Sequence, residues 1–219
     1  MALFIKISLI IHVLSGIGAL IFGGTAIALK TNTPKHRIVG KVYFVCMSII
    51  FVTGVYLSLY KNNIFLFLIA VFTYYAVCVA YRALKLKQLN ISRKPEFIDW
   101  VIEIIAGISF LGLIVFAVFY YIKNNSMDTL IPFVFGTMGI YGVYKNTLRL
   151  LSPPKETLVW LKVHIGNMCG SYIGAITAFV VNQGEYIPLP PIVLWLGPTV
   201  IIVPILLAET RKVKSVKLI

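Results

Sequence analysis

Seven uninterrupted apolar runs constrain this chain more than any other feature. They cover approximately residues 4–29, 38–60, 64–84, 100–122, 129–148, 158–181 and 191–208. At about 1.5 Å of rise per helical residue, runs of this length cross a hydrocarbon core of roughly 30 Å. Helices are the only candidate, because backbone groups in hydrocarbon must be satisfied within the segment and a closed barrel would need shorter, alternating runs. Of the 219 residues 59% are hydrophobic and only 12% charged, so a soluble fold could not hide the apolar surface. The predicted fold class is all-α: a transmembrane helical bundle of seven spans, forming a single integral membrane domain over residues 1–219. At the N-terminus, Lys6 precedes an apolar stretch that continues to Ala28 without a small-residue cleavage site. That stretch reads as a first span and not as a removable signal.

Charge sets the expected orientation. The runs are separated by short polar breaks, and one set of breaks carries Lys30, Lys35, Arg37 and Lys41, then Arg82, Lys85, Lys87, Arg93 and Lys94. The same side continues with Lys145, Arg149, Lys155 and Lys162, and ends with Arg211, Lys212, Lys214 and Lys217. Of the 20 lysines and arginines, only Lys6, Lys61 and Lys123 fall on the other side. The positive-inside rule makes the basic side cytoplasmic, with the N-terminus outside and the C-terminus inside. The expected location is the cell inner (plasma) membrane. A net charge of +13 could suggest nucleic acid, but the basic residues form no continuous stripe and no aromatic-interleaved patch. The lipid bilayer is therefore the expected partner, with self-association into a homo-oligomer left open.

Small residues predict how the helices pack. Gly166, Gly170, Gly174 and Ala178 recur every four residues in the sixth run, and Ser15, Ala19 and Gly23 do so in the first. Such stripes let backbones approach closely. Cys46, Cys78 and Cys169 all lie within apolar runs, without the close spacing of a thiolate metal site. They read as small buried hydrophobes.

Ionisable groups inside apolar spans are costly and are expected to face the bundle interior. His12 shares a helical face with Ser15, Ala19 and Gly23, so it points toward another helix. It is either a neutral imidazole hydrogen-bonded across that contact or a cofactor ligand. At the cytoplasmic ends of the spans lie His36, Asp99, Glu103 and His164, with Arg82, Asn146 and Arg149 at the same depth. Two imidazoles and two carboxylates at one level suit a divalent, zinc-like metal with nitrogen and oxygen ligands. The competing reading is interfacial salt bridging, with Asp99 capping a helix that begins at Trp100 and Glu103 pairing with Arg82 or Arg149. A haem joining His12 to His164 is disfavoured, because helical rise separates them by more than about 10 Å along the membrane normal.

Several motifs together carry a resemblance. They are His12 followed by Ser15-Gly-Ile-Gly-Ala-Leu-Ile-Phe-Gly-Gly24, the segment Lys35-His-Arg-Ile-Val-Gly-Lys-Val-Tyr43, Tyr81-Arg82, and Pro95 through Ile98-Asp99-Trp100. They continue with His164-Ile-Gly-Asn-Met-Cys-Gly-Ser-Tyr172 and its small-residue continuation to Phe179, then Asn182 and Trp195-Leu-Gly-Pro-Thr199. On these residues the chain resembles a domain-of-unknown-function family of small predicted bacterial membrane proteins, which implies a multi-span inner-membrane bundle and no particular activity. The opening histidine–glycine pattern is also similar, over the first two spans only, to haem-binding bundles such as transmembrane cytochromes b and haem A synthase. The leading expectation is a metal-binding or redox-accessory membrane protein using His36, Asp99, Glu103 and His164. The alternatives are a small-solute or proton-coupled transporter, a haem-binding membrane protein, and a membrane-embedded metal hydrolase. Few polar side chains occupy the middle of the runs, which counts against a path for a charged solute.

Overall fold

The computed structural model describes residues 2–89 and 91–211. Over those residues the chain forms helices α1 (Ala2–Ala28), α2 (Thr33–Tyr60), α3 (Ile64–Lys85), α4 (Phe97–Asn124), α5 (Leu130–Leu151), α6 (Val159–Asn182) and α7 (Pro191–Arg211). A single 3-10 turn, Met127–Thr129, leads into α5. Lys212, Lys214 and Lys217, counted above on the basic side, lie outside the described residues.

Local chemistry sets the helix boundaries. Asn32 accepts a hydrogen bond from the Lys35 amide at 3.3 Å, and Pro34 sits in the first turn where its missing N–H costs nothing. Asn63 caps α3 in the same way through the Leu66 amide at 3.0 Å. Asn125 ends α4 in the left-handed conformation, with φ of 47°. The start of α4 differs from expectation. The helix begins at Phe97 and Glu96 occupies the cap position, while Asp99, three residues in, accepts from the Glu96 amide at 2.8 Å. Asp99 thus closes the capping arrangement from inside the helix.

Six of the seven helices, all but α5, are long and apolar enough to cross a membrane. Within α5, Pro132, three glycines, Lys145, Asn146 and Arg149 interrupt the apolar sequence. The outer surface is apolar: Ile108, Phe119, Ile122 and Val200 are each more than two-thirds exposed, whereas Asp99, Glu103 and Arg149 are buried. A surface of this kind calls for lipid around it.

Helix α3 is central, touching α2, α4, α5 and α6, while α1 lies along α2 and α6 reaches α1 and α7. Two cores result. Leu68, Tyr75, Val79, Ala106, Phe110 and Leu113 join α3 to α4, and Ile131 and Phe135 add α5. Ala19, Tyr43, Met47 and Val77 join α1, α2 and α3, with Met168, Tyr172 and Ala175 of α6 packed against them. The four helices α1, α2, α3 and α6 therefore form a square, with α1 opposite α3 and α2 opposite α6.

The glycine contacts correct the expected packing of α6. A methyl group at Gly166 or Gly170 would meet no atom within 4 Å, so these positions face open space. Only Gly174 of that stripe is tightly packed, against Thr73. At the α4–α5 contact the backbone of one helix lies close against glycines of the other. A Cβ at Gly136 would lie 3.0 Å from the Phe110 carbonyl oxygen, and one at Gly139 would enter the Phe110 ring. On α1, Ala19 is fully buried and Gly23 lies under the ring of Tyr172, so the expected close contact of that stripe is present.

Candidate functional site

Both termini of each loop on the basic side come together at one end of the bundle. His36, in the first turn of α2, bonds through Nδ1 to the carbonyl of Ala26 near the end of α1, at 2.9 Å. His164, near the start of α6, bonds through Nδ1 to the carbonyl of Ala80 on α3, at 3.1 Å. A carbonyl can only accept, so in each ring Nδ1 carries the proton and the other nitrogen, Nε2, is the one that can hold a lone pair. The two rings face each other across the square, with centroids 6.5 Å apart and planes at 78°.

Two turns deeper the same two helices meet directly. Tyr43 follows His36 by seven residues and Ser171 follows His164 by seven, and their hydroxyls hydrogen-bond at 2.8 Å. Tyr172 donates to the Leu20 carbonyl at 3.0 Å, tying α6 to α1 at this level. Between the histidine level and this floor, a Cβ at Gly40, one turn beyond His36 on the same face, would meet nothing within 4 Å. Around the rim, the Lys87 ammonium sits over the Trp160 ring, 4.4 Å from its centroid, one turn before His164. Lys35 and Arg37 flank His36 in sequence.

The two carboxylates have other partners. Arg82 grips Asp99 with Nε at 2.6 Å and Nη2 at 2.8 Å, and its Nη2 also reaches Glu96 at 3.1 Å. Glu103 accepts from Asn146 Nδ2 at 2.6 Å, from the Tyr75 hydroxyl at 3.0 Å and from Thr147 Oγ1 at 3.4 Å. Arg149 donates from Nε to the Asn146 side-chain oxygen at 2.9 Å, completing a chain that joins α3, α4 and α5. Each buried acceptor here is met by donors, which is what a low-dielectric setting requires. Among the described residues, no group of three or more His, Cys, Asp or Glu side chains is placed to share a metal ion. Of the expected set of four, the structure brings His36 and His164 into ring contact, while Asp99 and Glu103 bond to Arg82 and to Asn146 and Tyr75.

His12 is apart from all of these. Its Nδ1 lies 2.9 Å from Thr53 Oγ1 on α2, and its ring rests against Gly54. Thr53 is seventeen residues beyond His36, about 25 Å along the helix. The cross-helix partner expected for His12 is therefore Thr53. Sequence reading did not pick out Tyr75 and Thr147 as partners of Glu103. Tyr75 stands seven residues before Arg82, on one face of α3, and that spacing is a signal from which it could have been found.

The sequence matches the family model "Predicted membrane protein (DUF2306)" over residues 9–140. The chain belongs to this family. The DUF2306 match runs from α1 into α5, so it takes in His12, His36, Asp99 and Glu103, while His164 lies beyond it. No curated protein and no solved structure matches the chain. As a DUF2306 member with a lipid-facing apolar exterior, it is an integral membrane protein.

Proposed function

We propose that this protein is a metal-binding, redox-accessory membrane protein whose ligands are His36 and His164. The observation that carries this reading is the pair of Nδ1–carbonyl hydrogen bonds, to Ala26 and Ala80. A hydrogen bond at one ring nitrogen fixes the tautomer, restrains the ring and raises the basicity of the other nitrogen, which is how ligating histidines are ordinarily held. Two imidazoles so restrained, 6.5 Å apart on opposite helices, form a more organised ligand pair than either histidine's exposure at a membrane boundary would need. Asp99 and Glu103 serve the reading indirectly, by locking α4 and α5 onto the α3 helix whose Ala80 carbonyl restrains His164. In this reading all seven helices cross the bilayer, α5 included, because its polar residues are matched within the bundle. The basic end is cytoplasmic, and the bilayer is the inner (plasma) membrane.

Elemental analysis of the full chain, purified in mild detergent, tests the proposal. Stoichiometric transition metal is expected in the wild type and in Glu103→Gln, and its loss is expected in His36→Ala and His164→Ala. A metal-free wild type, or wild-type metal content in both histidine variants, overturns it.

A further inference from the structure

We infer that the metal is an iron held in a flat porphyrin, sandwiched between His36 and His164 inside the α1–α2–α3–α6 square. The inference rests on the proposed histidine pair and specifies what that pair binds.

Ligand count is the first argument. A bare divalent ion wants four or more donors, and zinc-like sites supply at least three from protein. Here two imidazoles stand together, with Asp99 committed to Arg82 and Glu103 to Asn146, Tyr75 and Thr147. A metal with only two protein ligands completes its shell from outside the chain, and a porphyrin supplies four such donors in one plane.

Separation and angle agree with that geometry. With metal–nitrogen bonds of about 2.0 Å, imidazoles on opposite sides of one metal have centroids roughly 6.3 Å apart, and at a tetrahedral angle only about 5 Å apart. The observed separation is 6.5 Å. The anchors also fit: each Nδ1 is tied outward, to α1 or α3, so Nε2 lies on the side of each ring away from its anchor.

Space and charge supply the rest. The Tyr43–Ser171 floor lies seven residues below the histidines on both helices, about 10 Å deeper, which clears the half-width of a porphyrin of roughly 6 Å. Gly40 lies within that interval and has no neighbour where a side chain would project. At the rim, the Lys87 ammonium over Trp160, one turn before His164, suits a carboxylate of the kind haem carries on one edge.

The test is haemin titration of the full-length protein in mild detergent, read by visible absorption and electron paramagnetic resonance, beside elemental analysis. Sharp six-coordinate low-spin bands are expected, with the strongly anisotropic resonance that near-perpendicular imidazole planes produce. His36→Ala and His164→Ala should each abolish the low-spin form, and added imidazole should restore it, which separates a lost ligand from a lost fold. Gly40→Phe, with both histidines intact, should weaken haem binding by about tenfold or more while eluting as the wild type does. An identical low-spin spectrum in both histidine variants overturns the inference. Histidine-dependent metal without haemin uptake also overturns it and leaves the histidine-pair reading standing. A wild type that takes up neither metal nor haemin removes both.

Discussion

The Asp99 carboxylate illustrates how a charge is held at the basic end of an apolar helix. Its side chain is 3% exposed and receives two parallel bonds from Arg82, the fork-to-fork geometry that makes Arg–carboxylate pairs strong. Removing Arg82 strands the buried Asp99 charge, a loss of about 3 kcal/mol or more, and removing Asp99 leaves Arg82 only its exposed partner Glu96. Asp99→Ala and Arg82→Met should therefore each lower thermal stability in detergent clearly. The double variant should be much less destabilised than the two losses together, because neither charge is then left alone. Simple additivity would mean that the pair is not coupled. Glu103→Gln should be milder, about 1 kcal/mol, since the amide oxygen still accepts from Asn146 or Tyr75.

Between helices, the α4–α5 seam is closed tightly around two glycines. Gly136 and Gly139 are spaced three apart, so both face α4, where Phe110 fills the groove. A leucine at position 139 must displace the fully buried Phe110 ring, and overpacking of this kind costs about 1–3 kcal/mol or more. Gly170→Leu meets no neighbour and should cost little beyond a changed lipid contact. Melting curves of the two variants in one detergent check the contrast. Equal losses would mean that α6 packs against something through Gly170. The glycine rhythm of α6 is the more conspicuous in the sequence, yet the shorter one in α5 carries the contact.

For the whole molecule, the decisive question is on which side of the membrane each end lies. Helices α1 and α3 finish, and α2, α4 and α6 begin, at the end that holds the histidine pair and the Arg82–Asp99 bridge. Helix α5 finishes there too, since Asn146 reaches Glu103 in the first turns of α4. Reporter fusions at Asn125 are expected to be external and fusions at Lys155 cytoplasmic, which together require α5 to cross. Both fusions on one side would leave α5 as a non-crossing helix. A cytoplasmic signal at Asn125 would reverse the orientation.

The number of helices and their approximate places follow from the chain alone, because they depend on one-dimensional quantities, the length of each apolar run and the polar breaks, whereas the first turns of α2 and α4 lie outside those runs. The basic end where the candidate site lies was legible for the same reason, and so was the need of His12 for a partner on another helix. The azimuth of each helix was not legible. In a soluble protein the apolar face marks the core, but lipid and bundle interior are both apolar, so periodicity barely distinguishes them. Tertiary structure alone decided that Gly139 and not Gly170 faces a neighbour, and that Asp99 and Glu103 turn toward Arg82 and Asn146. It also decided that His36 and His164, 128 residues apart like Tyr43 and Ser171 below them, face each other across the square. Those outcomes depend on which helices stand diagonally opposite, and only the packing of Phe110, Tyr43 and their neighbours fixes that.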